Sequence, residues 1–310
     1  MTDSGPLFLA GVDRSGIGLL GELLEAHPKI HVSRRTNFWA FYYGRYGDLS
    51  SPGNLERCLS DMMRNTRIRA LQPEPEQLTR EFRSGQATYP RLFALLQEQN
   101  LPRVGKSRWC DKSLNSEGYA GTILSAYPTA KMIHVIRDPR DRFASQSIHR
   151  RAGGGKVGAA AAEWKWSAEL AERNRTEHPD RYHIVRYETL VDRPEAALRE
   201  LCRFIGEEYS GEMLRTETGP RMMRTTSIGR YHRDVSKCEL VFLHLATGRA
   251  AARFGYELVD SLHLADCGRL RFWFGDLPLN SARFLLWKPR MVIRRWMGQK
   301  PSARRLVDPS

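Results

Sequence analysis

The chain opens on an unbroken apolar run, Pro6-Leu7-Phe8-Leu9-Ala10-Gly11-Val12, followed by Leu19, Leu20, Leu23 and Leu24 at helical spacing. The run predicts a strand over 6–12 buried on both faces, as in parallel sheets, and the leucines predict a helix over 18–27 that His27-Pro28 stops. Asp13-Arg14-Ser15-Gly16-Ile17-Gly18 turns the chain between them. A second strand-turn-helix unit is predicted from Lys131-Met-Ile-His-Val-Ile136 through Arg137-Asp138 to Pro139, which suits a helix's first turn, with Ser145 about two turns further on. A strand over 182–187 and helices over 90–99, 158–177 and 194–205 complete the pattern. Such alternation of strands with helical stretches is the pattern of an α/β fold. Flexible connections are expected at Gly47 to Asn54, Gln72 to Glu76 and Gly153-Gly154-Gly155, and there is no internal repeat.

The first turn spells Gly11-x-x-x-x-Gly16 and presents backbone N–H groups at a helix N-terminus, a ready phosphate site, although this stretch alone reads equally as an ordinary strand-to-helix turn. A nucleotide hydrolase needs Lys and Ser/Thr next; Ile17-Gly18 stands there instead, so the Mg²⁺ ligand and the phosphate-reaching lysine are missing. Arg14 supplies instead a planar donor fork suited to phosphate or sulfate. In the second unit, strand-end Arg137 and helical Ser145 can converge on one anion. Taken alone, Arg137-Asp138-Pro139-Arg140-Asp141 reads more simply as a solvated ion-pair cluster.

Composition bounds the class. With 310 residues, 41% hydrophobic and 27% charged, the chain is globular rather than disordered or membrane-embedded. Its charge is +14, and residues 269–310, with ten Arg/Lys and two Asp, hold +8 of it, leaving +6 for the first 268. Cys58, Cys110, Cys202, Cys238 and Cys267 are scattered without metal-site spacing, which favours a reducing compartment. The first apolar segment is too short for a signal peptide, and no run reaches the ~18 residues of a membrane span. A cytoplasmic protein is expected. Residues 282–297 interleave Arg and Lys with Trp, Phe, Leu and Ile, which suits either peripheral contact with an anionic membrane at its inner face or a helix packed on the domain with its basic side in water. The charge alone would also attract nucleic acid, but no nucleic-acid module is present and no specific nucleic-acid partner is expected.

Together these segments resemble the sulfotransferase superfamily, whose members use 3′-phosphoadenosine 5′-phosphosulfate (PAPS), and most closely its bacterial and tyrosylprotein-like branches. The resemblance covers residues 6–257 and divides the chain into a sulfotransferase domain over 1–260 and a basic, aromatic-rich extension over 261–310. It implies an α/β fold, a doubly wound domain of the P-loop type with its central parallel sheet flanked by helices, in which Arg14 and Ser15-Gly16-Ile17-Gly18, with Leu19 behind them, form the 5′-phosphosulfate loop. Backbone N–H groups of Ser15 to Gly18 would cradle the phosphate. Arg137 and Ser145, eight apart, match the 3′-phosphate signature. Lys112, in Asp111-Lys112-Ser113, matches a lysine of a short turn which, with Arg14, holds the moving sulfuryl group and the bridging oxygen. Tyr187, before Glu188, matches the tyrosine that touches adenine, and Thr226-Ser227-Ile228-Gly229-Arg230-Tyr231 matches a late loop that closes over the nucleotide through Ser227 and Arg230. The implied activity is in-line, metal-independent sulfuryl transfer to a hydroxyl or amine of a small molecule, glycan or lipid. The moving group carries one charge fewer than a phosphoryl group, which lessens the need for a metal.

Three departures from the family pattern stand out. A Thr-Thr pair is replaced by Ile17-Gly18, the usual proline before the loop arginine is Asp13, and Arg35 stands where the tyrosylprotein-like branch has its catalytic Glu. Arginine accepts no proton at physiological pH. The second and third departures can compensate, with Asp13 acting as the base or fixing Arg35 by an ion pair; Asp111 and His31 are rival bases. The alternative is a catalytically weak PAPS-binding relative, binding also the product nucleotide 3′-phosphoadenosine 5′-phosphate (PAP), with a regulatory role. The aromatic run Phe38-Trp39-Ala40-Phe41-Tyr42-Tyr43, with Tyr46, could line an acceptor pocket or fill a core. A mobile, Arg-rich segment over 40–80 would suit an anionic acceptor.

Overall fold

The computed structural model describes residues 5–149, 157–215, 227–257 and 272–296. Five parallel strands form one sheet: β1 (Leu7–Ala10), β2 (Ile30–Arg34), β3 (Arg108–Lys112), β4 (Lys131–Ile136) and β5 (Tyr182–Arg186), in the order β2-β3-β1-β4-β5. β1 is central, with Leu7 opposite Cys110 on one side and Lys131 on the other. From β1 the chain runs to the edge strand β2, returns inward to β3 and then crosses β1 to β4 and β5; the connections after β1 and β4 therefore leave in opposite directions, and the turn after β1 lies at the topological switch point, where sheets of this kind bind ligands.

Helices cover both faces, which is why β1 shows no alternation of apolar and polar residues. Leu7 and Leu9 point to a layer containing Leu19, Leu20 and Leu23 of α1 (Ile17–Glu25). Phe8 and Ala10 point to an aromatic layer with Phe38, Trp39, Phe93, Trp109 and Tyr182. That layer receives α2 (Pro52–Arg64), α3 (Pro75–Arg83), α4 (Tyr89–Glu98) and α5 (Ala120–Ala126). The aromatic run after β2 is therefore core: Phe38 and Tyr42 are fully buried and Trp39 nearly so. The 40–80 segment, expected to be mobile, is largely helical and sends Leu55, Cys58, Met62 and Leu78 into the same layer.

Beyond β4, α6 (Pro139–His149), α7 (Val157–Glu177), α8 (Tyr187–Asp192), α9 (Pro194–Ile205) and α10 (Lys237–Ala252) follow. A capping box between Ser236 and Glu239 starts α10. α11 (Leu277–Leu285) and α12 (Trp287–Trp296) come last, with Leu277 and Phe284 packed against a cluster of Phe143, Val157 and Leu240. The glycine run 153–155, Thr226 and residues 297–310 lie outside the described residues.

β2 and β3 were not apparent in the apolar pattern. β3 reads Arg-Trp-Cys-Asp-Lys, yet all five residues are buried. Arg108 is satisfied by Gly5 O (2.7 Å), Ile205 O (2.9 Å) and Glu207 Oε1 (3.0 Å), partners that no local pattern announces.

Candidate active site

The turn after β1 contains three positive φ angles: Gly11 (140°), Arg14 (67°) and Gly16 (104°). A Cβ on Gly11 would stand 2.8 Å from Val135 O, and one on Gly16 2.3 Å from Tyr187 Cδ2, so both positions need glycine for space as well as for φ. Arg14 takes the left-handed conformation with a side chain, at a cost on the order of 1 kcal/mol that neighbouring contacts must hold. They are present. Arg137 Nη1 donates to Arg14 O (3.4 Å), Arg142 Nε donates to Asp13 O (2.8 Å), and Glu117 Oε2 accepts from Gly11 N (3.2 Å).

Ser15 N closes the turn on Val12 O (3.1 Å), so this N–H is used within the loop and is not among those presented, contrary to expectation. The N–H groups of Ile17, Gly18 and Leu19 precede the first helical bond, from Leu20 N to Gly16 O (3.1 Å), and have no intrahelical acceptor. The side chains of Ile17 and Leu19 are core, so these residues offer only main chain.

The structure joins the first turn and the second strand-turn-helix unit directly: Arg14 Nε donates to Ser145 Oγ at 3.0 Å. Arg137 is buried, its guanidinium 4.3 Å from the Tyr187 ring centroid, and its Nη2 donates to Ser227 O (2.6 Å). Arg230 pairs with Asp234 (2.6 Å). Burial lowers the proton affinity of Arg14; Asp13 opposes this, while Arg137, Arg35 and Arg230 add to it. Arginine remains charged throughout, so the direction records cations held close together at the carboxyl ends of the strands, a field suited to a multiply charged anion. Two buried polar atoms in this ring, Ser15 Oγ and Arg137 Nε, have no hydrogen-bond partner among the described residues. Such atoms typically cost about 1–3 kcal/mol each, and a ligand oxygen would satisfy them.

Lys112 belongs to β3 rather than to a turn. Its side chain lies against α1, where a Cβ on Gly21 would meet Lys112 Cδ at 2.7 Å and Nζ at 3.1 Å. Burial lowers its pKa, Glu22 opposes, and Arg34 and Arg35 lower it further. Among the described residues no hydrogen bond joins its ammonium to the glycine turn; the charge of Arg35 bears on both Lys112 and Arg14.

The three acids and bases considered from sequence differ sharply in setting. Asp13 is half-exposed at the rim, with Oδ1 4.0 Å from Arg35 Nη2, the ion pair anticipated as one of its two roles. His31 is engaged at both nitrogens, by Glu25 (3.3 Å) and Asn100 (2.8 Å). Asp111 is fully buried; its Oδ1 accepts from Thr36 Oγ1 (2.8 Å), Ser113 Oγ (3.2 Å) and Ser33 Oγ (3.4 Å), and burial pushes its pKa up to about 6.

Residues that sequence reasoning missed hold the frame. Asp141 accepts from Gly229 N (2.8 Å) and Tyr231 N (3.0 Å), fastening the late loop to α6. Arg140 pairs with Asp138 (2.6 Å) and stacks 4.1 Å from the Tyr231 ring centroid. The whole string from Arg137 to Arg142 is buried, and each of its charged residues has partners, the opposite of a solvated cluster. Its acid-rich and base-rich spacing on a helix was the available signal. Glu117 had none: its Oε1 accepts from Ser167 Oγ (2.6 Å), which also contacts His134 Nε2 (3.0 Å), and burial lowers His134 to about 3, leaving that ring neutral.

A parallel sheet whose central strand ends in a glycine turn ringed by arginines defines a P-loop-like α/β domain. Residues 6–211 match the sequence model of the Sulfotransferase family, and the chain belongs to that family. Its fold is similar to that of the sulfotransferase domain from the Synechococcus PCC 7002 olefin synthase, with TM-score 0.57 and 21% identity, covering 82% of this chain and 95% of that one. The sulfotransferase domain from the curacin biosynthetic pathway gives TM-score 0.52 and 20% identity, covering 82% and 99%. An uncharacterized protein of Aquifex aeolicus (strain VF5) is 23% identical over 244 residues, 74% of this chain, and the chain spans 29% of that relative's length.

Proposed function

We propose that the protein transfers a sulfuryl group from PAPS to a hydroxyl or amine of a small molecule, glycan or lipid acceptor. The observation that carries this reading is the pair of buried atoms without a hydrogen-bond partner among the described residues, Ser15 Oγ and Arg137 Nε, set within a cluster of cations at the switch point of a sulfotransferase fold. The N–H groups of Ile17, Gly18 and Leu19 and the Ser15 hydroxyl bind the 5′-phosphate. Arg137 and Ser145 bind the 3′-phosphate, Tyr187 lines the base, and Ser227 and Arg230 cover the nucleotide. The donor supplies the activated sulfur. The acceptor oxygen forms a bond to that sulfur as the bond from sulfur to the phosphate oxygen breaks, and the electron pair leaves with PAP. Arg14 and Lys112 face the negative charge that develops on the departing oxygen. Asp13, half-exposed at the rim beside Arg14, takes the acceptor's proton, and its neighbour Arg35 keeps it oriented.

Labelled PAPS incubated with an extract of lipids and glycans, followed by mass spectrometry, tests the activity, and titration with PAP tests the site. A labelled product is expected. PAP binding without any labelled product would favour the second reading, a nucleotide-binding relative without turnover, for which Arg35 in place of an acid is the supporting observation. Asp13→Asn is expected to remove turnover and spare PAP binding; unchanged turnover would overturn the assignment of the base.

A further inference from the structure

α11 is docked on the domain by an unusual face. Asn280 is buried, its Oδ1 accepting from Gly158 N (3.2 Å) and its Nδ2 donating to Asp276 O (2.9 Å). Gly158 permits this approach, since a Cβ there would stand 2.0 Å from Asn280 O. The Trp166 and Trp287 rings lie 5.7 Å apart, and Lys165 Nζ stands 5.8 Å from the Phe284 ring centroid. The opposite face is apolar and open to solvent. Leu279, Ala282 and Leu286, at i, i+3 and i+7, form one exposed stripe, and Leu285 (70% exposed) and Phe274 (81%) flank it. A helix that buries its asparagine and exposes its leucines is inverted relative to an ordinary surface helix, and a contiguous exposed apolar patch marks an interaction site.

Charge selects the partner. Lys288 and Arg290 are exposed at the start of α12, next to exposed Val292, and residues 282–297 carry five Arg/Lys and no Asp or Glu. In a twofold dimer the same patch meets itself, bringing these cations against their own copies. Anionic headgroups instead place negative charge beside them while the leucines enter the acyl boundary. We propose that the outer face of α11 and the first turn of α12 is a docking surface for an anionic lipid bilayer. The helix is both packed on the domain and turned toward the membrane, so the two arrangements suggested by the sequence of 282–297 are one.

The test is co-sedimentation of the full chain with vesicles of phosphatidylcholine alone and of an equimolar phosphatidylcholine–phosphatidylglycerol mixture. The wild type is expected to sediment with the anionic vesicles only. Leu279→Asp/Leu286→Asp and Lys288→Glu/Arg290→Glu are each expected to weaken that binding on the order of tenfold or more, with unchanged circular dichroism and PAP binding because the altered side chains are exposed. Equal binding to both vesicle types, or binding by both variants that matches the wild type, overturns the proposal. So does a dimer in sedimentation velocity that Leu279→Asp/Leu286→Asp abolishes, which assigns the stripe to a second copy.

Discussion

Asp111→Asn isolates the energetic consequence of burying a carboxyl beside the site. Asp111 Oδ1 receives three hydroxyls, and its Oδ2 is buried without a partner among the described residues. Asparagine keeps an oxygen for the hydroxyls and replaces the unpartnered oxygen by an amide that never ionises. In the wild type the pKa rises from 3.8 to about 6 on folding, so the folded state holds this proton to higher pH than the unfolded chain. The group therefore does not oppose folding below the unfolded pKa, opposes it increasingly as the pH rises toward the folded pKa, and opposes it by a constant amount above. A shift of about two units corresponds to about 3 kcal/mol, of which about 2 kcal/mol falls between about pH 4.5 and about pH 7.5. Other titrating carboxyls contribute equally to both chains and cancel in the difference. Urea denaturation of both proteins across that range should show the variant gaining about 2 kcal/mol on the wild type as the pH rises. A difference that does not change with pH, or that changes in the opposite direction, would refute the reasoning.

Gly16→Ala combines an unfavourable φ with a clash on the Tyr187 ring; a loss of about 2 kcal/mol or more in stability and weakened PAP binding are expected, and a wild-type thermal midpoint would contradict the loop geometry. Ser145→Ala should weaken PAP binding by about 0.5–1.5 kcal/mol while sparing adenosine 5′-phosphate, which lacks the 3′-phosphate; calorimetry that finds equal losses for the two nucleotides refutes the 3′-phosphate assignment. Asp141→Asn turns one acceptor toward Gly229 and Tyr231 into a donor, so limited proteolysis at Arg230 should quicken, and an unchanged rate would show that this carboxylate does not hold the late loop.

The parts of the site legible in the sequence were those whose constraints are local. Gly11 and Gly16 announce a turn that only glycine can make, the leucines of α1 announce its helix, and Pro139 marks the start of α6. Lys112 was placed in a turn by the family resemblance, and only the tertiary structure shows it as the buried last residue of β3. Phe38 and Trp39 left a choice between pocket and core that the aromatic layer settles as core. Asp141 was read as part of a solvated cluster and Glu117 was not singled out, because their partners, Gly229, Tyr231 and Gly11, lie 88, 90 and 106 residues away.

Sequence by itself determined the alternation of strands and helices, the glycine turn at the end of β1 and the separation of the positive charge into two regions, because periodicity, φ preference and charge act within a few residues. Tertiary structure alone decided that Arg14 meets Ser145, that the string from Arg137 to Arg142 is buried and partnered, and that α11 turns its leucines outward. Burial of a polar group depends on finding a partner in space. That partner can stand anywhere along the chain, and no local pattern records it.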